Sequence, residues 1–390
     1  MDKNNGAIYD ARKLGKPKMI ILGVQHMFAM FGATILVPIL TGLDISTTLL
    51  MAGWGTLLFH CITKFKVPAF LGSSFAFLGG YAAIKAFSPN DPNSMLPYAC
   101  LGVACAGLIY FILAAVIKAV GIEKVMRFFP PVVTGPIIIA IGLGLAPSAV
   151  SNCTTNWFLA VVALAVIVVF NIWGKGMAKI IPIILGLLIS YGTGLVLYFI
   201  SQANPDLIQN VPWLFSGGAD ANGVYQPIFD FTSLNTICDN ISKGHIFGSE
   251  GLIGIPIHWD KTVFGGIDYS NGALIASSII AIVPIAFATM MEHIGDICAI
   301  SSTTGNNYIK DPGLHRTLVG DGLATTLASL FGGPANTTYG ENTGVLALTR
   351  VYDPRVIRIA AYFAVAVSFF PIVSVIIGSI PSCIIGGISF

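Results

Sequence analysis

Three carboxylates stand inside apolar stretches of this chain. Glu292 and Asp296 are four residues apart, and Glu341 lies in a short, glycine-broken segment. On a helix, that four-residue spacing puts Glu292 and Asp296 on one face. A charged side chain at the centre of a membrane helix costs about 2.5–3.5 kcal/mol, so such groups are kept for substrate or ion traffic. Burial and mutual repulsion favour a proton on at least one of the two, as a proton-coupled carrier requires. The plainer reading makes them structural carboxylates paired with His26, His293 or backbone donors. Gln25 and His26 form a further polar spot in the first apolar stretch, where a lone histidine is as readily hydrogen-bonded core as ligand.

Two interrupted segments must position these groups. Val67-Pro-Ala-Phe-Leu-Gly-Ser-Ser-Phe-Ala-Phe77 and Gly333-Pro-Ala-Asn-Thr-Thr-Tyr-Gly-Glu-Asn-Thr-Gly344 both open with Pro-Ala and then turn small or polar. A continuous lipid-facing helix would not be written this way. Matching interruptions in two halves of a transporter point to a binding site at the bilayer midplane. Extended backbone at Ser73–Phe77 and Thr338–Glu341 leaves N–H and C=O groups that are tolerated only where they are buried in protein or line a cavity. A planar imide edge suits such a cavity: backbone N–H groups meet its carbonyls and a carboxylate accepts from its N–H, in a charge-assisted bond.

The rest of the chain is membrane material. Of 390 residues, 55% are hydrophobic and 10% charged, against a globular norm of about 25% charged. This excludes a nucleic-acid-binding protein, a soluble enzyme and a disordered scaffold. Apolar runs predict helices near 19–41, 45–63, 68–86, 96–120, 128–150, 155–174, 177–200, 272–300, 314–333 and 355–380, with a shorter segment at 334–349. The flanking charges orient them. Lys3, Arg12, Lys13, Lys16 and Lys18, then every second connection, place 17 of the 20 basic residues on one side and leave Lys85, Lys243 and Lys261 on the other. The N-terminus is therefore expected in the cytoplasm. The connection 201–271, with seven acidic residues and two lysines, is expected outside as a solvated insertion. Seven cysteines without CxxC or metal-like spacing read as small buried residues. No Ser-His-Asp order or phosphate loop marks an enzyme, and no metal or cofactor is implied.

With these residues in view, the sequence resembles the nucleobase–cation symporters (nucleobase–ascorbate transporters), and within them the bacterial uracil permeases. The family signature appears as Glu341-Asn-Thr-Gly344 through Thr349-Arg350. Around it stand Gln25-His26 with Phe28–Thr34, Gly72-Ser-Ser-Phe-Ala-Phe77, Glu292-His-Ile-Gly-Asp296 and Asp311-Pro-Gly-Leu-His-Arg316. The resemblance implies an all-α polytopic fold of two inverted seven-segment repeats, with two short broken segments at the midplane. After a cytoplasmic stretch 1–18, it divides the chain into core 19–120, gate 121–200, outer loop 201–271, core 272–380 and the start of a twelfth segment at 381–390. It implies that Glu292 and Glu341 grip a pyrimidine, that Phe75 and Gly340 add backbone bonds beside Ser74, and that Tyr339 lies next to the pocket. Asp296, Glu292 and His26 become the candidates for proton coupling.

The function implied by this resemblance is that of a proton-coupled uracil importer in the cytoplasmic membrane. The core would move like an elevator, and the gate would form a homodimer contact. Asp296 departs from the histidine that uracil permeases of this family carry four residues after the first glutamate, and purine-carrying relatives can have Asp there. A xanthine or uric acid carrier is thus the nearest alternative. Sodium is the alternative coupling ion, and a related anion transporter, a membrane enzyme and an ion channel are more distant readings. The chain stops where the twelfth segment would begin, so a truncated fragment lacking half the gate is expected.

Overall fold

A computed structural model describes residues 7–121, 123–124, 131–179 and 181–390. Lys3, Arg127 and the first residues of the helix expected at 128–150 lie outside them. The chain forms two compact units, Met1–Ile141 with Ile255–Phe370, and Gly142–Gly254 with Pro371–Phe390.

The first unit opens with α1 (Lys16–Thr41), whose Pro17 sits in the first turn, where its missing N–H is harmless. The helix ends at Gly42, which takes a left-handed φ of 86° and donates its N–H to Pro38 O. Asp44 then caps α2 (Ile45–Ile62) by accepting from Thr47 N at 2.8 Å. The stretch 68–86 is not one helix. It holds the strand β1 (Leu71–Ser73), a turn, and the short helix α3 (Leu78–Lys85). Then come α4 (Leu96–Val120) and α5 (Pro131–Cys153), which leads into the second unit.

That unit holds α6 (Trp157–Trp173), α7 (Pro182–Ala203), the hairpin β2 (Ser216–Ala219) and β3 (Tyr225–Pro227), and α8 (Thr232–Ser242). The first part of the connection 201–271 is therefore folded rather than merely solvated. Phe229 stacks on Phe231 with ring centroids 5.2 Å apart, and Tyr191 and Tyr198 meet Phe229 edge-on. From Ile255 the connection belongs to the first unit, where Thr47 Oγ1 donates to Pro256 O and Asp268 N donates to Tyr98 Oη.

The first unit resumes with α9 (Gly272–Ile282) and α10 (Ala286–Thr304), joined by a 3-10 turn around Pro284, which has no N–H to continue the ladder. Next are α11 (Leu314–Leu330), β4 (Asn336–Thr338), α12 (Gly340–Thr349) and α13 (Pro354–Ser368). The helix expected over 355–380 stops at Ser368, because Pro371 cannot donate to the preceding turn and instead starts α14 (Pro371–Gly378). The chain finishes with α15 (Ser382–Ser389). Among the described residues, five helical stretches are long and apolar enough to cross a membrane: Lys16–Thr41, Ile45–Ile62, Pro92–Val120, Pro182–Ala203 and Gly272–Thr304.

Small residues let the helices of the first unit touch backbone to backbone. A Cβ on Gly107 of α4 would lie 2.7 Å from Gly322 O of α11, and one on Gly322 would lie 2.6 Å from Gly107 O. Nothing larger than glycine fits at this crossing, where close packing takes over from the hydrophobic effect as the force holding helices together in lipid.

Candidate substrate site

The site grows from the two strands. β1 and β4 pair antiparallel, Leu71 opposite Thr338 and Ser73 opposite Asn336. A two-stranded ribbon inside an apolar bundle has two outer edges to satisfy. Thr56 of α2 serves one: its hydroxyl accepts from Leu71 N at 2.9 Å and donates to Ala52 O at 2.8 Å. Thr325 of α11 serves the other, donating to Asn336 O at 2.7 Å, while Asn336 Nδ2 donates to Met51 O. Beyond the ribbon, Ser74 N donates to Ala335 O and Tyr339 N to Phe70 O. The resulting frame holds the starts of α3 and α12 in place.

Glu341 lies in the first turn of α12, where the positive end of the helix dipole favours an acid. Glu292 lies on α10, with Asp296, Asp321 and Glu341 all within electrostatic reach of it. Both glutamates are half-buried, and neither carboxylate bonds to another side chain among the described residues. Asp296 is engaged: its Oδ2 accepts from Thr338 Oγ1 at 2.7 Å. His293 Nδ1 lies 3.5 Å from the same hydroxyl and 3.2 Å from Asp321 Oδ2. His293 and Asp321 are wholly buried. Thr338 thus ties β4 to α10 at Asp296 and His293, and His293 Nδ1 faces Asp321 of α11 at ion-pair distance, neither Asp321 oxygen having a hydrogen-bond partner among the described residues.

Sequence reasoning overlooked Asp321. It sits between Gly320 and Gly322 in the apolar run 314–333, a fourth intramembrane carboxylate by simple inspection, and its partner is 28 positions away.

Each remaining candidate has a definite place. His26 is fully buried, and Asn342 Nδ2 donates both to His26 O at 3.1 Å and to His26 Nδ1 at 3.1 Å. A carbonyl can only accept, so the amide nitrogen must face it. His26 Nδ1 is then the acceptor and Nε2 carries the ring proton. Among the described residues, that Nε2 has no partner, nor do Asn342 Oδ1, Ser74 Oγ or Gln25 Oε1. Buried polar atoms left this way cost about 1–3 kcal/mol each, and these four lie on α1, on α12 and in the turn after β1. Gly340 is exposed, with open space where a Cβ would stand, and Phe75 is half-buried.

Tyr339 turns away from open space. Its hydroxyl donates to Ser73 O at 2.9 Å, lies 3.1 Å from Ser73 Oγ and accepts from Thr34 Oγ1 at 3.3 Å. Its ring lies across Gly72 so closely that a Cβ there would collide with it. The side chain fastens β4 to β1 and α1.

The sequence profile of the permease family matches residues 17–390. The chain belongs to that family. It is similar to the uracil permease of Bacillus caldolyticus, 38% identical over 95% of this chain and 76% of the relative. The uracil permease of Bacillus subtilis is 37% identical over 95% of this chain and 76% of its own length, and that of Escherichia coli strain K12 30% identical over 95% and 75%. These are nucleobase–cation symporter relatives of the bacterial uracil permease group, as the motifs around Glu292 and Glu341 imply. Two solved structures share the fold. The transmembrane domain of the cyanobacterial bicarbonate transporter BicA superposes with a TM-score of 0.62 at 14% identity, covering 95% of this chain and 86% of that one. The overall structure of SLC26A9 gives 0.53 at 12% identity, covering 98% and 57%. This permease is thus a multi-pass, mostly helical membrane protein, and the inverted-repeat architecture fits it.

Proposed function

We propose that this permease imports uracil across the cytoplasmic membrane together with protons, with its N-terminus in the cytoplasm. The observation that carries this reading is that Glu341, in the first turn of the half-helix α12, lies within electrostatic reach of Glu292 on α10, with neither carboxylate bonded to another side chain among the described residues. The pyrimidine ring presents N–H groups that carboxylates accept from, and carbonyls that backbone N–H groups at Phe75 and Gly340 can meet. Charge-assisted bonds of this type are about twice as strong as neutral ones. Identity of 30–38% to proteins named uracil permeases supports the choice of base.

Proton coupling follows from crowding. Asp296, Asp321 and Glu341 lie within electrostatic reach of Glu292, and Asp321 and Glu341 within that of Asp296, and so many carboxylates in an apolar surrounding cannot all carry charge. A proton held among them neutralises the site as substrate enters. Transport would proceed by an elevator-type displacement of the first unit, with the second unit as gate and dimer contact.

Uptake of labelled uracil into proteoliposomes tests the reading. Uptake should rise when the outside is made acidic and the inside kept neutral, because protons moving down their gradient travel with uracil. It should fall as external pH rises and collapse with an uncoupler. Uptake driven by sodium and indifferent to pH would contradict the coupling. Because Asp296 occurs in purine carriers, xanthine is the competitor to include, and xanthine uptake without uracil uptake would contradict the substrate.

A further inference from the structure

One short segment before α1 holds on to the far ends of both helices that carry the substrate carboxylates. Tyr9 Oη donates at 2.6 Å to Thr304 O, one of the last carbonyls of α10, which have no partner inside their own helix. Ile8 bridges Val351 just past α12: Ile8 N donates to Arg350 O at 2.9 Å and Tyr352 N to Ile8 O at 2.8 Å. Ala11 N donates to Asp353 Oδ2 at 2.8 Å, and Ala11 is fully buried against Val351 and Val356. Arg355 Nη1 donates to Asp10 Oδ1 at 3.0 Å. The Tyr9 ring stands edge-on to Tyr352 with centroids 5.5 Å apart. Hydrogen bonding from Arg12 holds the Asp10 carboxyl well below the usual carboxylate range, with Arg355 assisting, so it stays charged for this contact.

We infer that residues 8–11 are a positioning strap that sets the spacing between α10 and α12, and through it the spacing of Glu292 and Glu341. The reason is leverage. Thr304 lies twelve residues from Glu292 on α10, about 18 Å of rise, and Thr349 lies eight from Glu341 on α12, about 12 Å. A helix transmits a shift of one end to the other, and a carboxylate misplaced by about 1 Å loses much of a directional bond. The α10 end is joined to the α12 end through Tyr9, whose hydroxyl and ring contact one helix end and the connection after the other.

The inference rests on the proposed substrate, and the test separates the two. Wild-type protein in detergent is titrated with labelled uracil and with labelled xanthine, which decides the substrate; the better ligand is then used for the variants. Tyr9→Phe keeps the ring on Tyr352 and loses only the bond to Thr304, whereas Tyr9→Ala loses both. A strap that acts by positioning predicts that Tyr9→Phe weakens binding about three- to tenfold, the worth of one hydrogen bond, with an unchanged melting temperature. Lys13→Ala, an exposed side chain beside the strap, should bind as wild type. Wild-type affinity in Tyr9→Phe with weakened binding only in Tyr9→Ala would reduce the segment to packing and overturn the inference. A readout without ligand completes the test. Spin labels at Ser302→Cys and Leu348→Cys, with the exposed Cys61 and Cys238 replaced by serine, report the spacing of the helix ends. A broader or longer distance in Tyr9→Phe is expected, and an unchanged distribution overturns the inference.

Discussion

The two strand-and-half-helix segments, β1 with α3 and β4 with α12, are built alike and do different work. Each begins with Pro-Ala, each strand is met by a threonine from the long helix before it, and each strand leads on to a short helix, after a four-residue turn in the first and one residue in the second. After β1 come Phe75, the buried Phe77 and the buried Tyr81, with Ser74 the polar exception. After β4 come Glu341 and Asn342, and β4 itself ends in Thr338, the hydroxyl shared by Asp296 and His293. The scaffold is repeated and the chemistry is not. The β1 segment carries mainly backbone and rings, and the β4 segment carries the carboxylate of Glu341, the amide of Asn342 and the hydroxyl of Thr338.

That division can be attacked from either side. The largest effect is expected where the β4 half is buttressed. Asp321→Ala leaves buried His293 without its carboxylate and should lower stability by about 3–5 kcal/mol, read by chemical denaturation in detergent. A loss under about 1 kcal/mol would mean that Asp321, through His293 and Thr338, does not brace β4. On the β1 side the effect should be smaller and steric. Gly72→Val pushes the Tyr339 ring off the ribbon and should cost about 1–3 kcal/mol, as overpacking does. Its effect on uracil binding should come from the loosened frame, so Tyr339→Phe, which drops the hydroxyl bonds and keeps the ring, should bind more tightly than Gly72→Val. Equal binding by the two would make the hydroxyl, rather than the ring on Gly72, the feature that matters.

Much of this is legible in the residues. The spacing of Glu292 and Asp296, the two Pro-Ala interruptions and the signature at Glu341 all point to one place, because intramembrane charge and broken helices are too costly to be incidental. Other features depend on partners far away in sequence. Strands of three residues have no periodicity to find, and β1 meets β4 across some 265 positions. Tyr339 reads as a pocket residue by its neighbourhood, yet its orientation is decided by Gly72, Ser73 and Thr34. The run 359–380 carries no charge, and only Pro371 hints that the helix ends early. Ile8–Ala11 look like part of a basic tail, and only the positions of Thr304, Arg350 and Asp353 give them a role.

The central claim is that Glu292 and Glu341 together hold the base. The most direct test is equilibrium binding of labelled uracil to the purified chain and to Glu292→Gln and Glu341→Gln, with xanthine as competitor. Each amide keeps the shape and loses the charge, replacing one acceptor with a donor. Saturable uracil binding by the wild type, weakened about 10- to 100-fold in each variant with unchanged melting temperatures, is the expected result, since a hydrogen bond to a charged group is worth about 1.5–3 kcal/mol. Wild-type affinity in Glu341→Gln would contradict the account.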